Sequence, residues 1–377
     1  MGDLRERARR VLTENWRSPG FCVPHRGVYP ERFLWDSCFH VVIWAALGQR
    51  DRATDELAAV FMSQRPDGFV PHMVHPDDPA ASLDFWGREG GSSITQPPMY
   101  GHAVAELARR GWPVDRDLLD RAERGFRWIL EHRRQPDGTV GVLHPWESGM
   151  DDSPRWDWAV HGQWSERAWW LRKGELVRSL ETDGGGAAMD NPQFRVGSAG
   201  FTALVAFNLA EFGSATGRAG LVAQAGELAG ALTDLFDPGA GHWRDGAGSG
   251  TTGGRRTLDG LLPLLVVDPP APVDDLLAPL VDRSAMGGSH GPAFVDRREP
   301  CFDPTRYWRG SVWAHMTYLA WLAARRLGAT DVTAELAAGL RRGAAMSGMA
   351  EHWHPDSGEG FGAVPLSWTG LAALVEG

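Results

Sequence analysis

The sequence predicts an all-α fold in which helices form two concentric rings. Three observations carry this. Apolar residues recur at 3.6-residue spacing along most of the chain. Nearly all-apolar segments alternate with amphipathic ones, in consecutive pairs. Long loops rich in Gly, Pro, Trp and Asp separate the pairs, so the periodic segments end at true breaks.

In chain order, helical spacing places helices near residues 3–15, 35–47, 51–63, 100–110, 116–132, 197–213, 217–235, 311–326 and 330–343. The first opens as a charged, amphipathic helix at Asp3-Leu4-Arg5-Glu6-Arg7. Segment 35–47 is apolar on nearly all sides, with Phe39, Val41, Val42, Ile43, Trp44 and Leu47; segment 51–63 follows after a short turn and is amphipathic. Pro97 can start the helix near 100–110. The apolar-then-amphipathic pairing recurs at 197–213 with 217–235, and at 311–326 with 330–343. The loops are 64–98, 134–158, 236–256, 284–308 and 350–364. Their aromatics disfavour disorder, with Gly184 to Gly186 and Gly246 to Gly254 the exceptions; long ordered loops are commonly functional. No linker divides the chain, so residues 1–377 are expected to form a single domain.

Composition excludes several function classes. Lys plus Arg number 38 against 48 Asp plus Glu, a net charge of −10, and no basic stripe is present, so a nucleic-acid partner is not expected. No apolar run is long enough for a membrane span. The N-terminus is charged and lacks the apolar core of a signal peptide. Cys22, Cys38 and Cys301 are scattered without metal-site spacing, so a reduced, cytoplasmic protein is expected. The 18 Trp against 4 Tyr are unusual. An indole offers a flat apolar face on which a sugar ring can lie.

The densest chemistry lies in Glu147-Ser148-Gly149-Met150-Asp151-Asp152-Ser153-Pro154-Arg155-Trp156-Asp157, directly after Trp146. Gly149 and Pro154 make it a shaped loop. Carboxylates crowded among aromatics raise one another's pKa by desolvation and like charge, which keeps one of them protonated near neutral pH. Cleavage of a sugar bond needs such an acid. Trp35-Asp36 stands at the first buried helix, where Asp36 can cap the helix while facing a cavity. Ser92-Ser93-Ile94-Thr95-Gln96-Pro97-Pro98, Arg306-Tyr307-Trp308-Arg309-Gly310-Ser311-Val312-Trp313 and Glu351-His352-Trp353-His354-Pro355 place Trp, Arg and carboxylates at equivalent loops, at one mouth of a helical ring.

In their order, these motifs resemble glycoside hydrolase family 63, and most closely its compact bacterial branch of mannosylglycerate and glucosylglycerate hydrolases, with trehalases more distant. The resemblance spans roughly residues 25 to 370. It implies an (α/α)6 barrel and inverting hydrolysis of a small α-glucoside or α-mannoside, without metal or other cofactor. It puts the general acid on Asp151 and the general base on Glu351, with Glu359 as the rival base. Tyr29, Phe33, Trp35, Asp36, Gln96, Trp146, Gly149, Tyr307, Trp308 and Trp313 match positions expected to wall or hydrogen-bond the sugar. The chemistry agrees: inversion needs a protonated carboxyl and an opposed carboxylate about 6.5–9.5 Å apart, with a water between. Glu147 and Asp152 are expected to hold the proton on Asp151, and Arg155 to oppose them.

One departure concerns the aglycone. Ala363-Val364-Pro365-Leu366-Ser367-Trp368 is apolar where glycerate-handling relatives tend to carry a polar side chain, which leaves Arg88, Arg195 or Arg309 as candidate partners for a carboxylate. Other readings fit less well. Asp151-Asp152 superficially matches terpene-synthase motifs, but Pro154 breaks the helix those need. His352 and His354, with His72 or His75, match no metal-ligand spacing. A trehalase-like disaccharidase and a non-catalytic sugar-binding protein on the same scaffold remain alternatives; two opposed carboxylates speak against the second.

Overall fold

The computed structural model describes residues 2–376 and is mostly helical. Its helices are α1 (Gly2–Asn15), α2 (Leu34–Ala46), α3 (Arg50–Val60), α4 (Leu83–Trp86), α5 (Tyr100–Arg109), α6 (Arg116–His132), α7 (Glu166–Arg178), α8 (Ala199–Thr216), α9 (Ala219–Thr233), α10 (Val273–Leu277), α11 (Ala314–Arg326) and α12 (Thr330–Met346). Local chemistry sets several ends. Asp115, Ser165 and Ser198 cap α6, α7 and α8 by accepting from backbone N–H groups of the first turn. Gly217 closes α8 in the left-handed conformation (φ 71°) that glycine adopts without strain.

The buried helices form the inner layer. α2 is buried from Leu34 to Ala45, and α8 from Ala199 to Leu209. α2 packs on α5, and α5 on α8. α8 packs on the 3₁₀ segment Leu258–Leu265, which packs on α11. α11 packs on a second 3₁₀ segment, Ser367–Ala373, which returns to α2. Outside them, α3 lies on α2, α9 on α8, α12 on α11 and α1 on Ser367–Ala373. The amphipathic partners bury one stripe each, as Leu221, Ala225, Leu228 and Leu232 do in α9.

Three elements depart from the sequence expectation. α7 carries Arg172 and Lys173 buried on its inner side, so no apolar stripe announces it. Leu258–Leu265 contains Gly260 and Pro263, which rule out a regular α-helix and yield a 3₁₀ segment. The helix expected from 311 begins at Ala314, because Val312–Trp313 is a short strand. That strand pairs antiparallel with His352–Trp353, which pairs in turn with Gly360–Phe361. The glycine tracts are ordered turns: Gly186 N–H donates to Asp183 O (2.9 Å) and Gly246 N–H to Gly197 O (2.7 Å). Among the described residues, no helix is long and apolar enough to cross a membrane.

Candidate active site

The loops that enter α2, α5, α11 and Ser367–Ala373, with the loop that carries Asp151, surround a cavity of about 430 Å³. Pro24, Tyr29, Phe33, Trp35, Asp36, Gln96, Gly149, Asp151, Tyr307, Trp308, Glu351, Leu366 and Trp368 line it. Two of the expected sugar-contacting residues stand elsewhere. Trp146 packs against His144, His72 and Trp86 in a satellite cluster. Trp313 lies behind Trp308 in a parallel stack, with centroids 3.8 Å apart. Glu359 is exposed in a turn and does not line the cavity.

Local folding explains the placement of Asp151. Ser148 closes the turn before it, donating to Pro145 O (2.6 Å) and accepting from Met150 N (3.0 Å). Gly149 adopts φ 77°, and a Cβ there would overlap the Trp35 indole, so a glycine is required for the loop to press against that ring. Burial pushes the Asp151 carboxyl well above its usual range; the negative charges of Asp152, Glu351 and Asp36 push the same way, and Lys173 opposes them. Asp152 is held by Lys173 Nζ (2.5 Å) and Trp169 Nε1 (2.8 Å).

The expected tuning by Glu147 and Arg155 is corrected by their partners. Glu147 is fully buried against Arg133 (2.8 and 3.1 Å) and accepts from Thr95 N (3.1 Å) and Leu143 N (2.6 Å). Its charge is spent joining two loops. Arg155 points into the core, donating to Thr257, Gly253 and Trp243 beside Asp245 and Asp259. The cation that acts on Asp151 is Lys173, which the sequence did not reveal because α7 has no apolar stripe.

Glu351 sits opposite in chemistry. The Tyr29 hydroxyl donates to its Oε1 (2.9 Å), Ala363 N–H donates to its Oε2 (3.0 Å), and Tyr307 lines the cavity with it. Burial raises its pKa above the usual carboxyl value, and the hydrogen bonds hold that rise in check. His352–Trp353, the central strand of the three-strand ribbon, follows it directly and anchors it, and Trp368 Nε1 donates to its carbonyl (3.3 Å). Asp36 makes no side-chain capping bond, contrary to expectation; Phe33 is the N-cap, and Asp36 is buried in the first turn, its pKa pushed up to about 7 by desolvation. Beneath the cavity His315 contacts Trp35, Trp308 and Trp368, and burial lowers its pKa to about 3, so it is neutral.

None of Arg88, Arg195 and Arg309 lines the cavity. Arg309 is locked on Asp157 (2.6 and 2.8 Å), and Arg195 on Asp190 (2.9 Å). Cys22, His40 and Glu56 bring three possible metal ligands together behind α2, a cluster that sequence spacing did not indicate. Their atoms already bond to one another and to the protein: His40 joins Glu56 (3.3 Å) and Ser367 (2.6 Å), and Cys22 N–H donates to Glu56 (2.7 Å). A larger hollow of about 1420 Å³ is lined by the C-terminal parts of α5, α8 and α11, away from these loops. Its acids Glu106 and Glu211 are tied to Arg109, Arg110 and His102.

The family model for the mannosylglycerate hydrolase MGH1-like glycoside hydrolase domain matches residues 29–369. The chain is 31% identical to the mannosylglycerate hydrolase of Thermus thermophilus, over 98% of this chain and 99% of that one. It is 27% identical to the glucosylglycerate hydrolase of Mycolicibacterium hassiacum, over 92% of each. The crystal structure of a family 63 mannosylglycerate hydrolase from Thermus thermophilus, in complex with Tris and D-glycerate, superposes with a TM-score of 0.83, at 27% identity and over 99% of both chains.

Proposed function

The chain belongs to the mannosylglycerate hydrolase MGH1-like glycoside hydrolases of family 63, and on that footing we propose that Asp151 and Glu351 carry out inverting hydrolysis of a small α-glucoside or α-mannoside. Asp151 protonates the glycosidic oxygen as general acid. Glu351 takes a proton from the attacking water as general base. A glycoside of a hydroxy acid, of which glycerate is one case, is the first candidate substrate class, since relatives of both the mannosyl- and glucosylglycerate type align along nearly the whole chain.

One observation carries the assignment: two carboxyls from opposite halves of the chain share one cavity in unlike surroundings. Burial and three negative neighbours favour the neutral form of Asp151, as an acid requires. Burial raises the Glu351 pKa too, but the hydrogen bonds from Tyr29 and Ala363 N–H work against that rise and favour its carboxylate, as a base requires. Trp35, Trp308 and Trp368 supply the flat walls of a pyranose pocket. The ring of packing contacts from α2 through α5, α8, Leu258–Leu265, α11 and Ser367–Ala373 back to α2 supports a closed (α/α)6 barrel and a single domain. The three unpaired cysteines suit a cytoplasmic setting.

The test is sugar release from α-glucosides and α-mannosides of glycerate, with trehalose and kojibiose alongside, by wild type, Asp151→Asn and Glu351→Gln. Each variant should lose about 10²–10⁴-fold in kcat while keeping the wild-type circular dichroism spectrum. Near-normal turnover by Glu351→Gln, with loss in Glu359→Gln, would move the base to Glu359.

A further inference from the structure

Beside the cavity, and sharing Tyr307 with it, a second hollow of about 880 Å³ is lined by Asp152, Trp164, Glu166, Arg167, Trp170, Lys173 and Arg306. Its position relative to the chemistry follows from the proposed acid. A general acid must touch the glycosidic oxygen, so the leaving group lies on the Asp151 side, and the next residue, Asp152, already belongs to the hollow's wall. The hollow is roomier than a three-carbon acid needs.

Its lining is unusual for a surface that meets only water. Trp170 is 66% exposed on α7, and a large indole left open in a concave, charged site is a platform for a flat or ring-shaped ligand. Trp164 is fixed as a second aromatic wall by the Arg309 guanidinium, 3.9 Å from its ring centroid. Cations surround both rings. Lys173 Nζ is 5.3 Å from the Trp170 ring and pairs with Asp152; Arg306 pairs with Glu166 at 2.9 Å. Arg167 makes no ion pair among the described residues, so the hollow keeps one uncompensated positive charge.

Resting on the hydrolase reading above, we propose that this hollow is an aglycone subsite for a ring-sized leaving group bearing an acid, a uronic acid in chemical class, which lies against Trp170 and Trp164 and sets its carboxylate toward Arg167. The natural substrate is then an α-glycoside of a pyranose acid, with the small glycerate aglycone filling only the inner part of the site.

The experiment compares kcat/KM for glycosides of D-glycerate, D-glucuronate and D-glucose, each as the α-glucoside and the α-mannoside, on wild type, Trp170→Ala and Arg167→Gln; both residues are exposed, so neither change should disturb folding. Wild type should favour the glucuronate glycoside over the glycerate one. Trp170→Ala should cut kcat/KM for both ring aglycones roughly three- to tenfold, the size of one aromatic contact, and the glycerate glycoside less than twofold. Arg167→Gln should erase the preference for glucuronate over glucose. Equal or better turnover of the glycerate glycoside by wild type, or equal losses on all three substrates in Trp170→Ala, would overturn the subsite and leave the hydrolase reading standing. Turnover of none of the three aglycones in either the gluco or the manno series would instead overturn the assignment of the catalytic cavity, and the subsite with it.

Discussion

Asp151 is under opposing fields, and each can be removed alone. Lys173 lowers its pKa and Asp152 raises it. The acid works only while protonated, so the alkaline limb of the rate profile follows its pKa. Lys173→Met removes the lowering charge and should move that limb to higher pH; Asp152→Asn removes the raising charge and should move it lower. A profile of kcat/KM against pH checks both, and a limb unmoved in both variants would show that another group titrates there. Asp36 gives a stability test of the same kind. Its folded pKa of about 7 exceeds the ordinary carboxyl value, so the folded state binds the extra proton, and stability is lost as pH rises from about 4 to 7. Asp36→Asn cannot ionise. Its gain in Tm over wild type should therefore grow across that window, read by thermal melts at about pH 4.5 and about pH 7.5, and an equal difference at both would refute a neutral Asp36. At this scale the sequence was most legible. Asp151 sits in a loop whose crowded carboxylates mark it, and the resemblance of the ordered motifs pointed to Asp151, Glu351 and Asp36, whereas Lys173 and Trp368 owe their roles to packing between distant segments.

Loops in this molecule are joined by buried ion pairs rather than by strands of any length. Glu147 with Arg133 ties the 92–98 loop to the loop that carries Asp151, through Thr95 and Leu143. Arg155 ties the same region to the 243–259 segment, and Gly260 is glycine because a Cβ there would meet the Arg155 guanidinium. Removing one member of a buried pair leaves the other charge without a partner, at a cost of about 3–5 kcal/mol. Arg155→Met should lower stability by that order in urea titrations while leaving the alkaline limb of the pH profile in place, because its charge does not reach Asp151. A shifted limb would show that the expectation from sequence proximity was right. Proximity in sequence misled here because the turn at Ser153 and Pro154 sends Arg155 inward, away from the cavity. The helices with apolar stripes were readable from spacing; α7 and the 3₁₀ segment with Gly260 and Pro263 were not, since one buries cations and the other breaks the period.

The chain is organised so that the starts of α2, α5, α11 and Ser367–Ala373 converge on one cavity, with side chains from first turns and entering loops. Asp36 and Gln96 arrive with α2 and α5, Tyr307 and Trp308 with α11, and Glu351 with the ribbon that precedes Ser367–Ala373. Trp308 holds φ 54°, a conformation costly for a bulky residue, at the wall between the cavity and Trp313. Such convergence of two carboxyls makes one mechanistic demand. If Glu351 activates water on the face of the sugar opposite Asp151, an α-glycoside must release the β-anomer first. Proton NMR in the first minutes of hydrolysis, before mutarotation mixes the anomers, reads this directly. Leading β-anomer is the predicted result; leading α-anomer would mean a double displacement, with carboxyls only about 5–5.5 Å apart, and would contradict the roles given to Asp151 and Glu351.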